Sequence, residues 1–245
     1  TGSSPKLMPM FDGLGERLVV NDDIFEWETL PDSVAVFGPG VIGLELGQAL
    51  HRLGVRIRIF GLSGSLKPLS DMGIKSYAEN LFKDEFPLDT KANILGLELE
   101  NEQVKISFVD PKNGEEKVEL FDFLLAATGR SPNVNDLGLE NTKLELDSLG
   151  VPLYNSSTMQ CGNSSIFIAG DVNNDLPILH EAADEGKIAG DNAARFPDIK
   201  SGLRRSPVTV VFCDPQIAIV GESWSELEGN ENVVTGKVSF EGQGR

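Results

Sequence analysis

Apolar positions fall in short blocks whose spacing changes along the chain, and each change marks an element. Residues 33–37, apolar after Ser33, form a run stopped by glycine, the pattern of a buried strand. Ile42, Leu46, Ala49, Leu50 and Leu53 then recur at helical spacing, and Gly54 follows where helices commonly stop. Val55, Ile57 and Ile59 alternate with Arg56 and Arg58, which predicts a second strand. Strand, turn, helix and strand make a βαβ unit, whose parallel strands require a right-handed crossover. A second helix is predicted over 72–86, with Ile74, Tyr77, Leu81 and Phe82 on its packing side. Strands at 92–99, 104–109 and 117–125 follow, the last two joined by Pro111, Lys112, Asn113 and Gly114, which is turn chemistry for an antiparallel hairpin.

The flanks read differently. Residues 1–30 are largely irregular, with a strand at 17–20, and Pro31-Asp32 breaks the chain. Residues 130–163 are loop-rich. A short buried strand over 165–169 ends at Gly170-Asp171. A helix over 178–196 places Ala182, Ala183, Ile188, Ala189 and Ala193 on its packing side, and strands at 208–212 and 216–220 flank Asp214-Pro215. The expected fold class is therefore α/β with a β meander after the βαβ unit.

Between the first strand and helix the spacing is Gly38-x-Gly40-x-x-Gly43, with Pro39, Val41 and Ile42 between. A dinucleotide pyrophosphate needs this spacing. The first glycine permits the tight turn, the second lets the backbone approach the phosphates, and the third lets helix and strand pack closely. The phosphate charge then rests on the helix N-terminus. After the second strand a carboxylate ordinarily accepts the adenosine ribose hydroxyls. Here that position is Gly61, and Lys67 follows either as a contact for a 2′-phosphate or as a solvated loop residue. NAD and NADP both remain open.

Charge narrows the partners. Against 21 Lys and Arg stand 38 Asp and Glu, a formal net charge of −17. Such a chain repels nucleic acid, and no basic patch in the sequence overrides that field. No apolar stretch approaches the roughly 20 residues that span a bilayer. Cys161 and Cys213 are too few and too far apart for a disulfide framework, so a reducing, cytoplasmic setting is the default expectation.

Beyond the glycine turn, several segments in order carry a family likeness. Val36-Phe37-Gly38-Pro39-Gly40-Val41-Ile42-Gly43-Leu44-Glu45-Leu46-Gly47 resembles the nicotinamide-binding motif of the flavin-dependent pyridine nucleotide–disulfide oxidoreductases, of the dihydrolipoamide dehydrogenase type. Ala127-Thr128-Gly129-Arg130-Ser131-Pro132-Asn133 is similar to that family's junction after the nicotinamide domain. Ile166-Phe167-Ile168-Ala169-Gly170-Asp171-Val172 is similar to its second flavin motif. The run from Pro207 to Gly221 resembles the opening of its interface domain, and Thr1-Gly2-Ser3-Ser4-Pro5 its junction into the nicotinamide domain.

The resemblance implies a Rossmann-like FAD/NAD(P)-binding three-layer fold with a meander, plus the start of an α+β interface domain. It implies four segments: 1–30, the end of a first flavin segment and linker; 31–128, an NAD(P)-binding domain; 129–205, a second flavin segment; and 206–245, the start of a dimerisation domain. The cofactor-binding residues it implies are Gly38, Gly40, Val41, Ile42, Gly43, Glu45, Gly61, Gly129, Gly170, Asp171 and Ala182. Asp171 would take a hydrogen bond from the FAD ribityl chain, Glu45 would sit near the nicotinamide riboside, and the helix starting near His180 and Ala182 would aim its N-terminus at the flavin. His180 itself reads as structural or solvated.

The family's redox Cys-x4-Cys pair, its first flavin glycine motif and its C-terminal His–Glu pair have no counterpart in these residues. The chain is thus expected to be an internal fragment, inactive alone, of a homodimeric FAD enzyme that passes electrons between NAD(P)H and a small-molecule or protein-bound disulfide or dithiol. A disulfide-less relative, such as a soluble transhydrogenase or NADH oxidase, and a non-catalytic nucleotide-binding module remain alternatives. No metal site and no catalytic residue is expected.

Overall fold

The computed structural model describes residues 1–239 and Gly242. The part of the 206–245 segment at 240, 241 and 243–245 lies outside the described residues. In chain order, β1 (Ser3–Pro5) and β2 (Leu18–Val19) precede β3 (Ser33–Phe37), α1 (Val41–Arg52) and β4 (Arg56–Phe60). Then come α2 (Met72–Glu85), β5 (Leu88–Asp89), β6 (Ile94–Glu100), β7 (Gln103–Val109), β8 (Glu116–Phe121), β9 (Phe123–Ala126) and β10 (Arg130–Pro132). The chain continues with α3 (Leu179–Arg195), β11 (Val208–Val211), β12 (Ile217–Val220) and α4 (Trp224–Leu227).

β2, β9, β3, β4 and β5 form a five-stranded sheet in that order, and every pairing in it is parallel. The meander β6-β7-β8 is a separate antiparallel sheet. Alternation along β3 explains how the two meet. Val34 and Val36 face one side, packing with Leu44 and Leu50 of α1 and Phe82 of α2. Ala35 and Phe37 face the other, packing with Val104, Ile106 and Phe108 of the meander. The result is three layers, helices over a parallel sheet over a meander. An aromatic chain, Phe11–Phe37–Phe60–Phe108, runs between sheet and meander with centroid spacings of 5.3, 5.1 and 5.1 Å.

The structure departs from the periodicity at several points. The single strand expected over 117–125 is two strands belonging to different sheets. Asp122 is the pivot: its carboxylate accepts from Ser33 N–H (2.9 Å), Ser33 Oγ and Gln103 Nε2, while its own N–H bonds Ser33. These bonds satisfy the groups freed where the chain leaves one ladder for the other.

On α2, Ala78 and Phe82 are buried, whereas Ile74 and Tyr77 are 52% and 67% exposed, because only the C-terminal half lies on the sheet. The expected strand at 165–169 makes only the isolated bridge Gln160↔Phe167, with Ile166 exposed and Ile168 buried.

α3 departs further: its inward positions are Glu181, Glu185, Ile188 and Asn192, while Ala183 and Ala193 are exposed. β2 is an edge strand of the parallel sheet, and Phe11 and Leu14 are buried against the meander, so residues 8–19 pack with the nucleotide layer. Only β1, paired antiparallel with β10, stands apart from it. Among the described residues no helix is long and apolar enough to cross a membrane.

Candidate functional site

The β3–α1 turn is built by close approach. Gly38 has φ +113°, and a Cβ there would lie 2.2 Å from the Ala127 carbonyl oxygen. A Cβ on Gly43 would lie 1.9 Å from the Gly38 carbonyl oxygen. Gly40 is the opposite case: nothing lies within 4 Å of where its Cβ would be. Two glycines are therefore demanded by the fold, and the middle one leaves open space at the mouth of a cleft. α1 starts there with no side-chain cap and no acidic residue in its first turn, so its N–H groups and dipole are left for an anion.

The cleft holds about 520 Å³ and is lined on one side by Gly38, Gly40, Val41 and Ile42. Across it stand Gly129 and Arg130, after β9, and Asp171. Arg130 Nε donates to Ser3 Oγ at 2.7 Å, and Ser3 Oγ donates to Asp171 Oδ2 at 2.9 Å. Asp171 Oδ1 makes no bond among the described residues, so the carboxylate keeps an acceptor available on the cleft wall.

The turn carrying Asp171 is held from α3. A Cβ on Gly170 would meet the Cβ of Ala182 at 3.2 Å, so helix and turn touch where both residues are small. Gly170 N–H and Asn173 Nδ2 donate to Glu185 Oε2 at 2.8 and 2.7 Å. Glu185 is fully buried, and burial raises its carboxyl above the ordinary range against the opposing pull of Gly170 N–H, Arg204 and Asn173. Arg204 Nη2 lies 3.1 Å from Glu185 Oε1, an ion pair not aligned as a hydrogen bond, and 2.9 Å from Glu181 Oε2. The polar inward face of α3 is thus paired. This role was not legible in the sequence, where the alanines and Ile188 marked the packing side of this helix.

Of the expected site residues, Gly43, Glu45, Gly61, Gly170 and Ala182 are not among those lining this cleft. Glu45 does not line the cleft: its Oε1 accepts the Phe212 N–H at 2.8 Å. Gln48 exchanges two bonds with the Asp214 backbone, at 2.7 and 2.8 Å, and Arg52 donates to the Asp214 carboxylate, so one face of α1 grips residues 212–214. Gly61 is buried and cannot carry a side chain, because a Cβ would lie 2.6 Å from Thr90 O and 2.7 Å from Pro39 Cγ. The cleft wall beyond it is supplied by Leu62, Ser63, Ser65 and Lys67. His180 is exposed, with its ring 3.8 Å from Glu181.

This arrangement has known counterparts. Residues 1–186 match the family model described as pyridine nucleotide-disulphide oxidoreductase. A dihydrolipoyl dehydrogenase of Bacillus subtilis is 30% identical over 248 residues, covering 98% of this chain and 50% of that protein. A mercuric reductase of Staphylococcus aureus is 32% identical over 222 residues, covering 90% of this chain and 40% of that protein. The chain spans about half the length of the curated relatives it matches.

Among solved structures, LpdA of Mycobacterium tuberculosis superposes with a TM-score of 0.76 at 27% identity, covering 93% of this chain and 48% of that one. The flavoprotein disulfide reductase RclA of Escherichia coli, at 20% identity and TM-score 0.77, shares the fold. With the three-layer fold, the glycine turn and the matching family model in agreement, the chain belongs to the pyridine nucleotide-disulphide oxidoreductase family.

Proposed function

We propose that this chain supplies the nicotinamide-dinucleotide site and one wall of the flavin site of an FAD-dependent oxidoreductase. That enzyme passes electrons between NAD(P)H and a disulfide or dithiol such as dihydrolipoamide. The observation that carries the reading is the shared cleft: Gly38, Gly40, Val41 and Ile42 at the first turn and Asp171 at the second line one space. In this reading the N-terminus of α1 and the open space at Gly40 receive the pyrophosphate, with Val41 and Ile42 against the nucleotide. Gly129 leaves the far wall low, and Asp171 accepts a hydrogen bond from the flavin's polyol chain. FAD, when bound, supplies the two-electron carrier between nucleotide and disulfide.

Residues 31–128, joined by 8–19, form the nucleotide-binding unit, 129–205 a flavin-contacting segment, and 206–245 the start of a homodimer interface. Exposed Phe212 and Val220 on the final hairpin suit that last role. A cytoplasmic enzyme fits the two buried thiols, Cys161 and Cys213.

Thermal unfolding with and without reduced nucleotide tests the site. At 100 times Kd, binding adds about 2.7 kcal/mol, which raises the melting temperature of a chain this size by roughly 5–10 °C. No shift with either NADH or NADPH at millimolar concentration removes the proposed site. NAD(P)H-dependent lipoamide reduction by the product of the complete reading frame tests the activity. A Cys-x4-Cys pair upstream favours the disulfide reaction over an oxidase or transhydrogenase.

A further inference from the structure

We infer that the loop after β4 selects the 2′-phosphorylated dinucleotide, so that NADPH is bound in preference to NADH. The inference rests on the nucleotide site proposed above and concerns its adenosine end. A site for NAD places a carboxylate after the second strand to accept the ribose hydroxyls, whereas a site for NADP places cationic and hydroxyl donors there. At Gly61 the first option is closed by geometry. The Thr90 carbonyl and the Pro39 ring, 2.6 and 2.7 Å from any Cβ, leave no space for an acidic side chain.

What the loop offers instead is donors. Ser63 and Ser65 line the cleft with their hydroxyls 2.7 Å apart, close enough to donate to oxygens of one phosphate. Lys67 lines the same wall, is exposed, and makes no ion pair or hydrogen bond among the described residues. Two further lysines border the loop. Lys75 Nζ donates to the Gly64 carbonyl, and the Lys91 side chain passes 3.8 Å from where a Gly64 side chain would begin.

The carboxylates on this edge are engaged by groups other than Lys67. Asp71 caps α2 through Ile74 N–H, Asp89 takes the Lys91 N–H, and Glu79 lies 3.9 Å from Lys75 Nζ. The one carboxylate on the cleft wall, Asp171, belongs to the flavin end. In a chain of net charge −17, a stretch of cleft wall that carries the unpaired Lys67 beside Ser63 and Ser65, with no carboxylate among these lining residues, is a local reversal of field. A 2′-phosphate, carrying about −1.5 to −2 at neutral pH, would exploit it, and a ribose hydroxyl would not.

The test is a fluorescence titration of the chain with NADPH and with NADH at one ionic strength, repeated on Lys67→Gln. Expected is NADPH tighter by about tenfold or more, with Lys67→Gln erasing most of that margin and weakening NADH far less than NADPH. The margin should also shrink as salt is raised. Lys67 is exposed, so an unchanged melting temperature confirms that the variant is folded. NADH bound as tightly as NADPH overturns the inference while leaving the nucleotide site standing. A Lys67→Gln loss equal for both nucleotides removes Lys67 from the phosphate contact and overturns it too. Binding of neither nucleotide refutes the underlying site, and the inference with it.

Discussion

Replacing Gly43 and Gly40 by alanine, one at a time, separates what the fold demands of the turn from what a ligand demands. Gly43 lies inside α1, where glycine to alanine ordinarily stabilises a helix by about 1 kcal/mol. Here the new Cβ would lie 1.9 Å from the Gly38 carbonyl oxygen, roughly 1.1 Å inside the 3.0 Å that real Cβ contacts respect. The neighbour is backbone and cannot rotate away, so the upper end of the usual overpacking cost, about 3 kcal/mol, applies. Set against the helical gain, a net loss of about 2 kcal/mol remains, or roughly 4–8 °C in melting temperature for a chain of this length.

Gly40→Ala meets no atom within 4 Å and sits at an ordinary φ of −99°, so stability should stay within about 0.5 kcal/mol. Its methyl group instead enters the mouth of the cleft, and dinucleotide affinity should fall about tenfold or more. Differential scanning fluorimetry and nucleotide fluorescence titration read the two quantities. The reasoning fails if Gly43→Ala melts at or above the parent temperature. It also fails if Gly40→Ala binds nucleotide unchanged, since the dinucleotide then lies elsewhere.

Arg204→Met strands Glu181 and Glu185 without their cation and should cost about 3–5 kcal/mol at neutral pH in urea unfolding. Because burial already raises the Glu185 carboxyl in the fold, protonation relieves the strain, so the deficit should shrink as pH falls from neutral towards 5; a deficit that grows contradicts this. Asp122→Ala removes bonds to Ser33 and Gln103 and should cost about 1.5–3 kcal/mol. Burial opposes ionisation of Asp122, but bonds from Gln103 and Ser33 hold its carboxyl below the ordinary value of 3.8. The stability it contributes is thus complete above that value and lost as pH falls through the folded one, and a gap between parent and variant that persists unchanged in strong acid refutes the assignment. Native Cys161, buried and with its thiol pushed up to about 11, should resist alkylation at pH 8 until the chain unfolds, and fast labelling of the folded protein at Cys161 would count against its burial.

The elements themselves were largely legible. β3 read as a buried strand because the four residues after Ser33 are all apolar, and the structure puts it at the centre of the sheet with meander and helices on either side. The glycine spacing placed the turn because each requirement there is local, a matter of strand end, helix start and missing Cβ atoms. Misreadings arose where the chain's own pattern was continuous but its partners were not. The apolar run over 117–125 gives no sign that Asp122 passes the chain from one sheet to another. The alanines of α3 suggested an apolar contact, yet apart from Ile188, which was expected inward, the buried positions are Glu181, Glu185 and Asn192.

The sequence by itself therefore determined the βαβ unit, the meander, the glycine turn and the order of the family-like segments, because periodicity and glycine spacing act over a few residues. Only the tertiary structure decided which residues face the cleft. It set the Glu45 carboxylate on the Phe212 N–H, a contact 167 positions away in the chain. It showed Gly61 to be enforced by Thr90 and Pro39, and it gathered Lys67, Lys75 and Lys91 around one loop. It also buried Glu185, which sequence logic leaves in water, by bringing Gly170, Asn173 and Arg204 to it. Each of these outcomes depends on groups distant in sequence meeting in space, where a backbone carbonyl or a guanidinium sets what a position can hold, and no local pattern encodes that meeting.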